Sequence, residues 1–335
     1  MYIVSSYSLA IALCFVTMLC WGSWANTQKL ASKTWRYELF YWDYVIGILL
    51  FSVILGFTLG SYGELGRGFI EDLEQVSSRN FWSAFAGGII FNASNILLAA
   101  AISISGMAVA FPLGVGLALV LGVAVNYIGA PKGDPLVLFL GVFLVVVAIV
   151  LNGMASGKMA QKSKEKSSKK GIWIALSAGL LMSLFYRFVA ASMDLNNFEY
   201  PEAGKMAPYA AFFVFSLGIL ASNFLFNTIV MKKPFVGEPV SYKQYFSGSL
   251  STHTVGVLGG IIWGLGTALS YIAAGKAGAA ISYGLGQGAT MVAALWGVFI
   301  WKEFKGAGSR INLMLFLMFV FFISGLIFII VSGGN

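Results

Sequence analysis

The sequence predicts an all-α integral membrane protein: ten transmembrane helices arranged as two inverted five-helix repeats. Three observations carry this. The chain has 335 residues, 59% of them hydrophobic and only 10% charged, whereas a soluble domain carries about 25% charge and roughly 45–50% apolar residues. The apolar residues gather in runs of about 20, the length that spans a bilayer. Two stretches of the chain also resemble each other at a fixed offset of 172 residues. This composition excludes a soluble enzyme, a disordered chain and a nucleic-acid-binding module. The net charge of +8 sits in short loops between apolar runs.

The spans are expected at 7–28, 38–60, 81–102, 106–127, 135–155, 171–193, 208–230, 255–275, 278–300 and 311–332. Their apolar character is continuous, not alternating, so they read as helices, not barrel strands. The first holds both cysteines, Cys14 and Cys20. It lacks a charged leading segment and a small-residue cleavage site, so it reads as a retained helix. The second carries Asp43, the third Asn92 and Asn95, the sixth Arg187, the seventh Asn223 and Asn227. Between spans five and six lies SGKMAQKSKEKSSKK, a Lys-rich solvated linker at 156–170. It divides the chain into a first repeat, 1–155, and a second, 171–335.

Alternate loops differ in charge. Lys29, Lys33, Arg36, the linker lysines, Lys232, Lys233, Lys243, Lys302, Lys305 and Arg310 fall on one side, against Arg67, Arg79, Lys132, Lys205 and Lys276 on the other. Cytoplasmic loops carry the excess of Lys and Arg. The Lys-rich loops are therefore expected in the cytoplasm and both termini outside, where Glu71, Asp72, Glu74, Asp194, Glu199 and Glu202 also lie.

The repeat is specific. GGII at 87–90 recurs at 259–262, followed by Phe91 and Trp263. At the same offset Ala101 meets Ala273, Gly106 meets Gly278, Phe111 meets Tyr283, and Leu113, Gly114 and Gly116 meet Leu285, Gly286 and Gly288. Spans three and four thus repeat as eight and nine. An odd number of spans per half inverts one half against the other. That design belongs to secondary transporters, with substrate at the repeat interface near mid-membrane.

Ionisable residues within spans are costly and point to function. Asp43 is a candidate proton-coupling group; its alternative is a structural bond near the headgroups. Arg187 is a candidate substrate contact; its alternative is snorkelling to the outer surface. Glu38 is expected at the solvated interface. Asn92 and Asn95 share a face of span three. Trp263, Thr267 and Ser270 share one on span eight, and Tyr283, Gln287 and Thr290 one on span nine. Aromatic rings beside amides and hydroxyls suit a neutral polar ring, a sugar or a ureide. Polar residues also glue helices together. Trp24 is a further binding candidate, although a Trp at a span end is usually an anchor. Tyr41, Trp42 and Tyr44 read as an aromatic belt. His253, the single histidine, is placed in a loop, which excludes a histidine metal cluster. No P-loop, G-x-S-x-G or H-E-x-x-H occurs. No enzyme activity, cofactor or metal is expected.

GGIIWGLG at 259–266 and YGLGQGATMVAALWGVFIWKEFKGAGSR at 283–310 resemble the drug/metabolite transporter superfamily, within it the glucose/ribose porters and rhamnose–proton symporters. MYIV at the start, CWGSWANT at 20–27, WDY at 42–44 and NY at 126–127 are similar to the ureide permease branch. The resemblance implies a proton-coupled importer of a small polar solute. Asp43 matches the acidic position of the WDY stretch, and Gln287 lies in the shared glycine-rich span. Plant members of the branch have a nucleotide-binding-like segment in a longer central loop, which this chain lacks. The expected function is monosaccharide symport of the rhamnose, glucose or ribose type, driven by protons or sodium. A ureide or nucleobase permease and a drug or metabolite exporter are the alternatives. The expected setting is a bacterial plasma membrane, as monomer or homodimer.

Overall fold

A computed structural model describes residues 1–31, 35–105, 107–160 and 169–334. Lys33, Gly106 and the lysines at 162, 164 and 166 lie outside the described residues, as does the side chain of Phe111. The described residues form helices, ten of them long and apolar enough to cross a membrane.

Helix α1 (Tyr7–Ser23) starts where the Ser6 hydroxyl accepts the Leu9 N–H, and a short break at Trp24 leads into α2 (Ala25–Ala31). Span two is α3 (Tyr37–Phe57). A short helix, α4 (Phe69–Gln75), lies in the following loop. Spans three to five are α5 (Ser78–Ser105), α6 (Met107–Gly129) and α7 (Pro135–Ala160). Asp134 caps α7 by accepting the Leu136 and Val137 N–H groups. The expected linker is shorter than its composition implied, because α7 runs to Ala160 and α8 (Lys169–Ser192) begins before 171. Next come α9 (Pro208–Lys232), with proline at its first turn, and α10 (Tyr242–Phe246), closed by a Ser241–Gln244 capping box. Span eight is α11 (Leu250–Ala277), ended by Gly278 at φ +86°. The tenth is α14 (Ser309–Ser332).

Span nine departs from expectation. The continuous helix expected at 278–300 is α12 (Ala279–Gly286), a tightened turn at Gln287–Gly288, α13 (Ala289–Leu295) and a π-helical turn over Trp296–Ile300. The Gly288 N–H reaches back only to Leu285, and the Thr290 N–H to Gln287. Two glycines beside Gln287 favour the break, since they hold a helix least strongly. Broken helices are tolerated at membrane depth where protein covers the freed backbone, and Gln287 is buried here.

Glycines set the closest crossings. A Cβ on Gly260 of α11 would strike the Tyr44 carbonyl of α3, and one on Gly47 would strike the Val257 carbonyl. Likewise α5 and α9 meet through Gly88 against the Phe215 carbonyl and Gly218 against the Phe85 carbonyl. Without a hydrophobic drive between helices in lipid, such close backbone packing holds membrane bundles together.

At the acidic face, α4 is fastened to the loop joining α8 and α9. Asp72 is 1% exposed and accepts the Arg67 guanidinium at 3.1 Å, the Gln75 amide at 3.2 Å and the Ala207 N–H at 2.7 Å. Burial pushes its carboxyl above the ordinary value, and the Ala207 and Arg67 donors pull it back. Arg67 also donates to the carbonyls of Glu202 and Lys205. Replacing Asp72 by alanine strands these donors, so Asp72→Ala should cost about 3 kcal/mol. A melting temperature of purified Asp72→Ala equal to the wild type's would refute that bond set.

Candidate functional site

At mid-bundle the rings Phe91 and Trp263, which follow the two GGII stretches, stack face to face, centroids 4.3 Å apart and planes 27° apart. Trp21 and Phe215 lie 6.2 Å from Trp263, and Phe185 lies 5.2 Å from Phe91. These rings come from α1, α5, α8, α9 and α11, on both sides of the Lys-rich segment in sequence. Gly88 and Gly260, one helical turn before Phe91 and Trp263, let α5 approach α9 and α11 approach α3 closely.

Two polar groups flank the stack. Toward the Lys-rich end, the Tyr41 hydroxyl donates to Asn92 Oδ1 at 3.0 Å and accepts from Asn95 Nδ2 at 3.2 Å. Asn92 Nδ2 donates to Ser222 Oγ at 2.9 Å. The Tyr41 ring packs 5.3 Å from Tyr37 and 5.4 Å from Tyr44, and Tyr44 lies 4.7 Å from Trp24. Among the described residues, the buried hydroxyls of Tyr37 and Tyr44 have no hydrogen-bond partner, nor has either amide atom of Asn223. An unpaired buried polar atom costs about 1–3 kcal/mol. Toward the acidic end, Ser270 Oγ lies 3.0 Å from both Tyr186 OH and Ser282 Oγ. Tyr283 OH donates to the Ala118 carbonyl at 3.2 Å.

The sequence candidates therefore divide. Asn92 and Asn95 meet through Tyr41, and Trp263 faces Phe91. Thr267 accepts Trp21 Nε1 at 3.0 Å and donates to the Trp263 carbonyl. Trp24 covers Tyr44, away from the role of a headgroup anchor. Tyr283 lies in the acidic-end group, and Gln287 sits at the break in span nine. Arg187 is not brought to the stack. Its guanidinium lies against Gly129 at the end of α6.

Three expectations need correction. Tyr41, Trp42 and Tyr44 are not a belt: they are 0%, 5% and 0% exposed, because α3 is enclosed by α9 and α11. Glu38 is 6% exposed and bound by two of the three Arg36 guanidinium nitrogens, Nε at 3.2 Å and Nη2 at 2.6 Å, so it is not solvated. His253 is not in a loop. It stands in the first turn of α11 and reaches Asp43, 210 residues away in sequence, at 2.8 Å.

Asp43 itself is 1% exposed at the Lys-rich end of α3. Its Oδ1 accepts the Tyr245 hydroxyl at 2.7 Å as well as facing His253 Nδ1, and its Oδ2 accepts Trp35 Nε1 at 3.1 Å. Burial and the neighbouring carboxylate raise the Tyr245 phenol above its ordinary value, so it remains a donor. No periodicity within one helix links these four residues. The signal available in the sequence was the coincidence of one in-span aspartate and one histidine.

Ten apolar helices around a shared aromatic and amide core define a multi-pass membrane protein. The chain belongs to the ureide permease family: the family's sequence profile matches residues 40–170 and 155–332. Ureide permease 2 of Arabidopsis thaliana is 25% identical over 397 aligned residues, and ureide permease 1 of the same plant 24% over 389, each covering 100% of both chains. A solved crystal structure superposes with a TM-score of 0.62 at 15% identity, covering 96% of this chain and 98% of its own. That likeness concerns the fold. Family membership makes the protein a transporter in kind, and it favours the ureide alternative over the expected monosaccharide symport.

Proposed function

We propose that the protein is a proton-coupled secondary transporter that imports a small neutral ureide. The observation that carries this is the Tyr41–Asn92–Asn95 set beside the Phe91–Trp263 stack, with the Tyr37 and Tyr44 hydroxyls left unpaired among the described residues. A ureide is planar and alternates N–H donors with C=O acceptors. Amides answer both in pairs, and aromatic faces cover the plane. Monosaccharide hydroxyls would be met on a puckered ring, which matches flat rings less well.

The two-repeat reading is retained as part of this proposal. The neighbours α5–α9 and α3–α11 make the same close contacts, Gly88 on Phe215, Gly218 and Ile219 against Gly260 on Tyr44, Gly47 and Ile48. The first helices correspond at the offset of 172 and the second at 171. Other neighbours exchange likewise: α5–α8 with α11–α1, α6–α8 with α13–α1, and α6–α7 with α12–α14. Two like halves facing opposite ways give two like states, each open to one side. The Lys-rich face is assigned to the cytoplasm of the plasma membrane, and the wider kinship to drug/metabolite transporters rests on the glycine-rich motifs of the second half.

Thermal stabilisation of the purified protein tests the substrate class, since a ligand that binds only the folded state raises the melting temperature. Allantoin and hydantoin should stabilise it, and rhamnose, glucose and ribose should not. Stabilisation by a sugar alone would restore the monosaccharide reading, and stabilisation by lipophilic cations alone would favour an exporter.

A further inference from the structure

We propose that Asp43 and His253 together form the proton-coupling site, with His253 Nε2 as the atom that takes up and releases the proton and Asp43 as its fixed counter-ion. The inference rests on the coupled-transport reading above and adds the group that titrates.

The geometry separates the two roles. Asp43 is enclosed and saturated: Trp35 Nε1, Tyr245 OH and His253 Nδ1 all converge on its two oxygens. Indole N–H is a donor only, and Tyr245 is a donor here as well. With Nδ1 carrying its proton, a carboxyl O–H would find only donors around it and weaken bonds already made. The carboxylate therefore keeps its charge and holds Nδ1–H of the imidazole. The other ring nitrogen makes no hydrogen bond among the described residues, which leaves it to exchange the proton. The His253 side chain is 24% exposed where that of Asp43 is 2%. A Cβ on Gly248 would come within 2.7 Å of Nε2 and 2.6 Å of the Trp35 ring, so the turn before α11 leaves that nitrogen its space through a glycine.

The groups facing the imidazole come from each neighbouring element. Asp43 comes from α3 and Tyr245 from α10, whose ring centroid is 4.9 Å away. Trp35 precedes α3, its centroid 5.3 Å away and edge-on at 81°. Arg36 is turned elsewhere, to Glu38 and the Val236 and Glu238 carbonyls. The only balance required is one proton: imidazole plus H⁺ gives imidazolium, paired with the carboxylate, and its loss to the Lys-rich face returns the neutral ring. A change of charge here acts on α3 and α11, the helices that carry Tyr41, Tyr44 and Trp263. Asp43 stands beside Tyr44 in sequence, and its Cβ abuts Gly256 of α11. Protonation is thereby linked to the crossing that borders the central stack.

The chain has a single histidine, so ¹⁵N-histidine labelling of the full-length protein in lipid reports one imidazole. A pH series should show one passage from imidazolium to neutral ring, and Asp43→Asn should move it to lower pH, because the counter-ion is lost. An imidazole that shows no such passage, or one unmoved by Asp43→Asn, overturns the proposal whatever the substrate is. In proteoliposomes, His253→Asn keeps a donor near Nδ1 but cannot titrate. It should retain [¹⁴C]allantoin counterflow and lose proton-driven accumulation, with uptake changing less than about twofold across roughly pH 5–8, where imidazole titrates. A wild-type pH profile in this variant would assign His253 a purely structural role and overturn the proposal. Should allantoin not move at all, the substrate reading fails, while the labelled imidazole still decides the proton site.

Discussion

Gly260→Ala and Gly88→Ala should each destabilise the folded protein by about 3 kcal/mol or more, among the largest effects expected of single methyl groups. The added Cβ in each case meets a backbone carbonyl, of Tyr44 or of Phe215, not the tip of a side chain that could swing away. Overpacking of a core usually costs about 1–3 kcal/mol because neighbours give way by rotamer changes. Here only separation of two helices relieves the contact. Separation of α3 from α11 would also disturb the Asp43–His253 pair, and that of α5 from α9 the Asn92–Ser222 bond. Thermal unfolding in detergent measures both. Similar losses in the two variants are expected on the two-repeat proposal. A large loss at one position with none at the other would count against the repeat, and unchanged melting at both would refute the close crossings.

Tyr41→Phe should abolish detectable stabilisation by a ureide while leaving a folded protein. The hydroxyl joins Asn92 to Asn95, and its removal leaves both amides short of a partner within a sealed part of the bundle. The cost to the fold is about 1–3 kcal/mol, as for any buried polar group left unpaired. The effect on binding is larger in proportion, since Asn92 and Asn95 lose the bond that aims them. A site built to hydrogen-bond its ligand discriminates through such bonds by about 10⁴-fold. Asn92→Ala is the companion variant. Equilibrium binding of [¹⁴C]allantoin to purified protein checks both, and wild-type affinity in either would remove this trio from the site.

Much of the architecture was legible in the chain. Ten spans could be read from apolar run length, because hydrocarbon requires each segment to satisfy its own backbone bonds. The GGII stretches stood out as the signature of the repeat, and the structure puts Gly88 and Gly260 within them against neighbouring backbones. The break in span nine was not legible. Its residues still form one apolar run long enough to span as a single helix, and glycine weakens a helix without dictating where it ends. Likewise Tyr41, Trp42 and Tyr44 carry the composition of an interfacial belt. Burial of all three follows from α9 and α11 closing over α3, which no pattern within α3 records.

The site shows the same division. Asn92, Asn95 and Trp263 stood out because amides and repeat-related aromatics inside spans are costly or conspicuous. Their shared partner Tyr41 did not, since a tyrosine near a span end looks like an anchor. Arg187 stood out equally and lies elsewhere, against Gly129. By itself the sequence determined the solvent, the number of crossings and the positions of scarce polar groups, because the cost of apolar surface in water and of charge in lipid acts residue by residue. Only the tertiary structure decided which of those groups meet. The carboxylate at 43, the imidazole at 253, the phenol at 245 and the indole at 35 sit on separate segments, and their bonds exist only once the helices have packed.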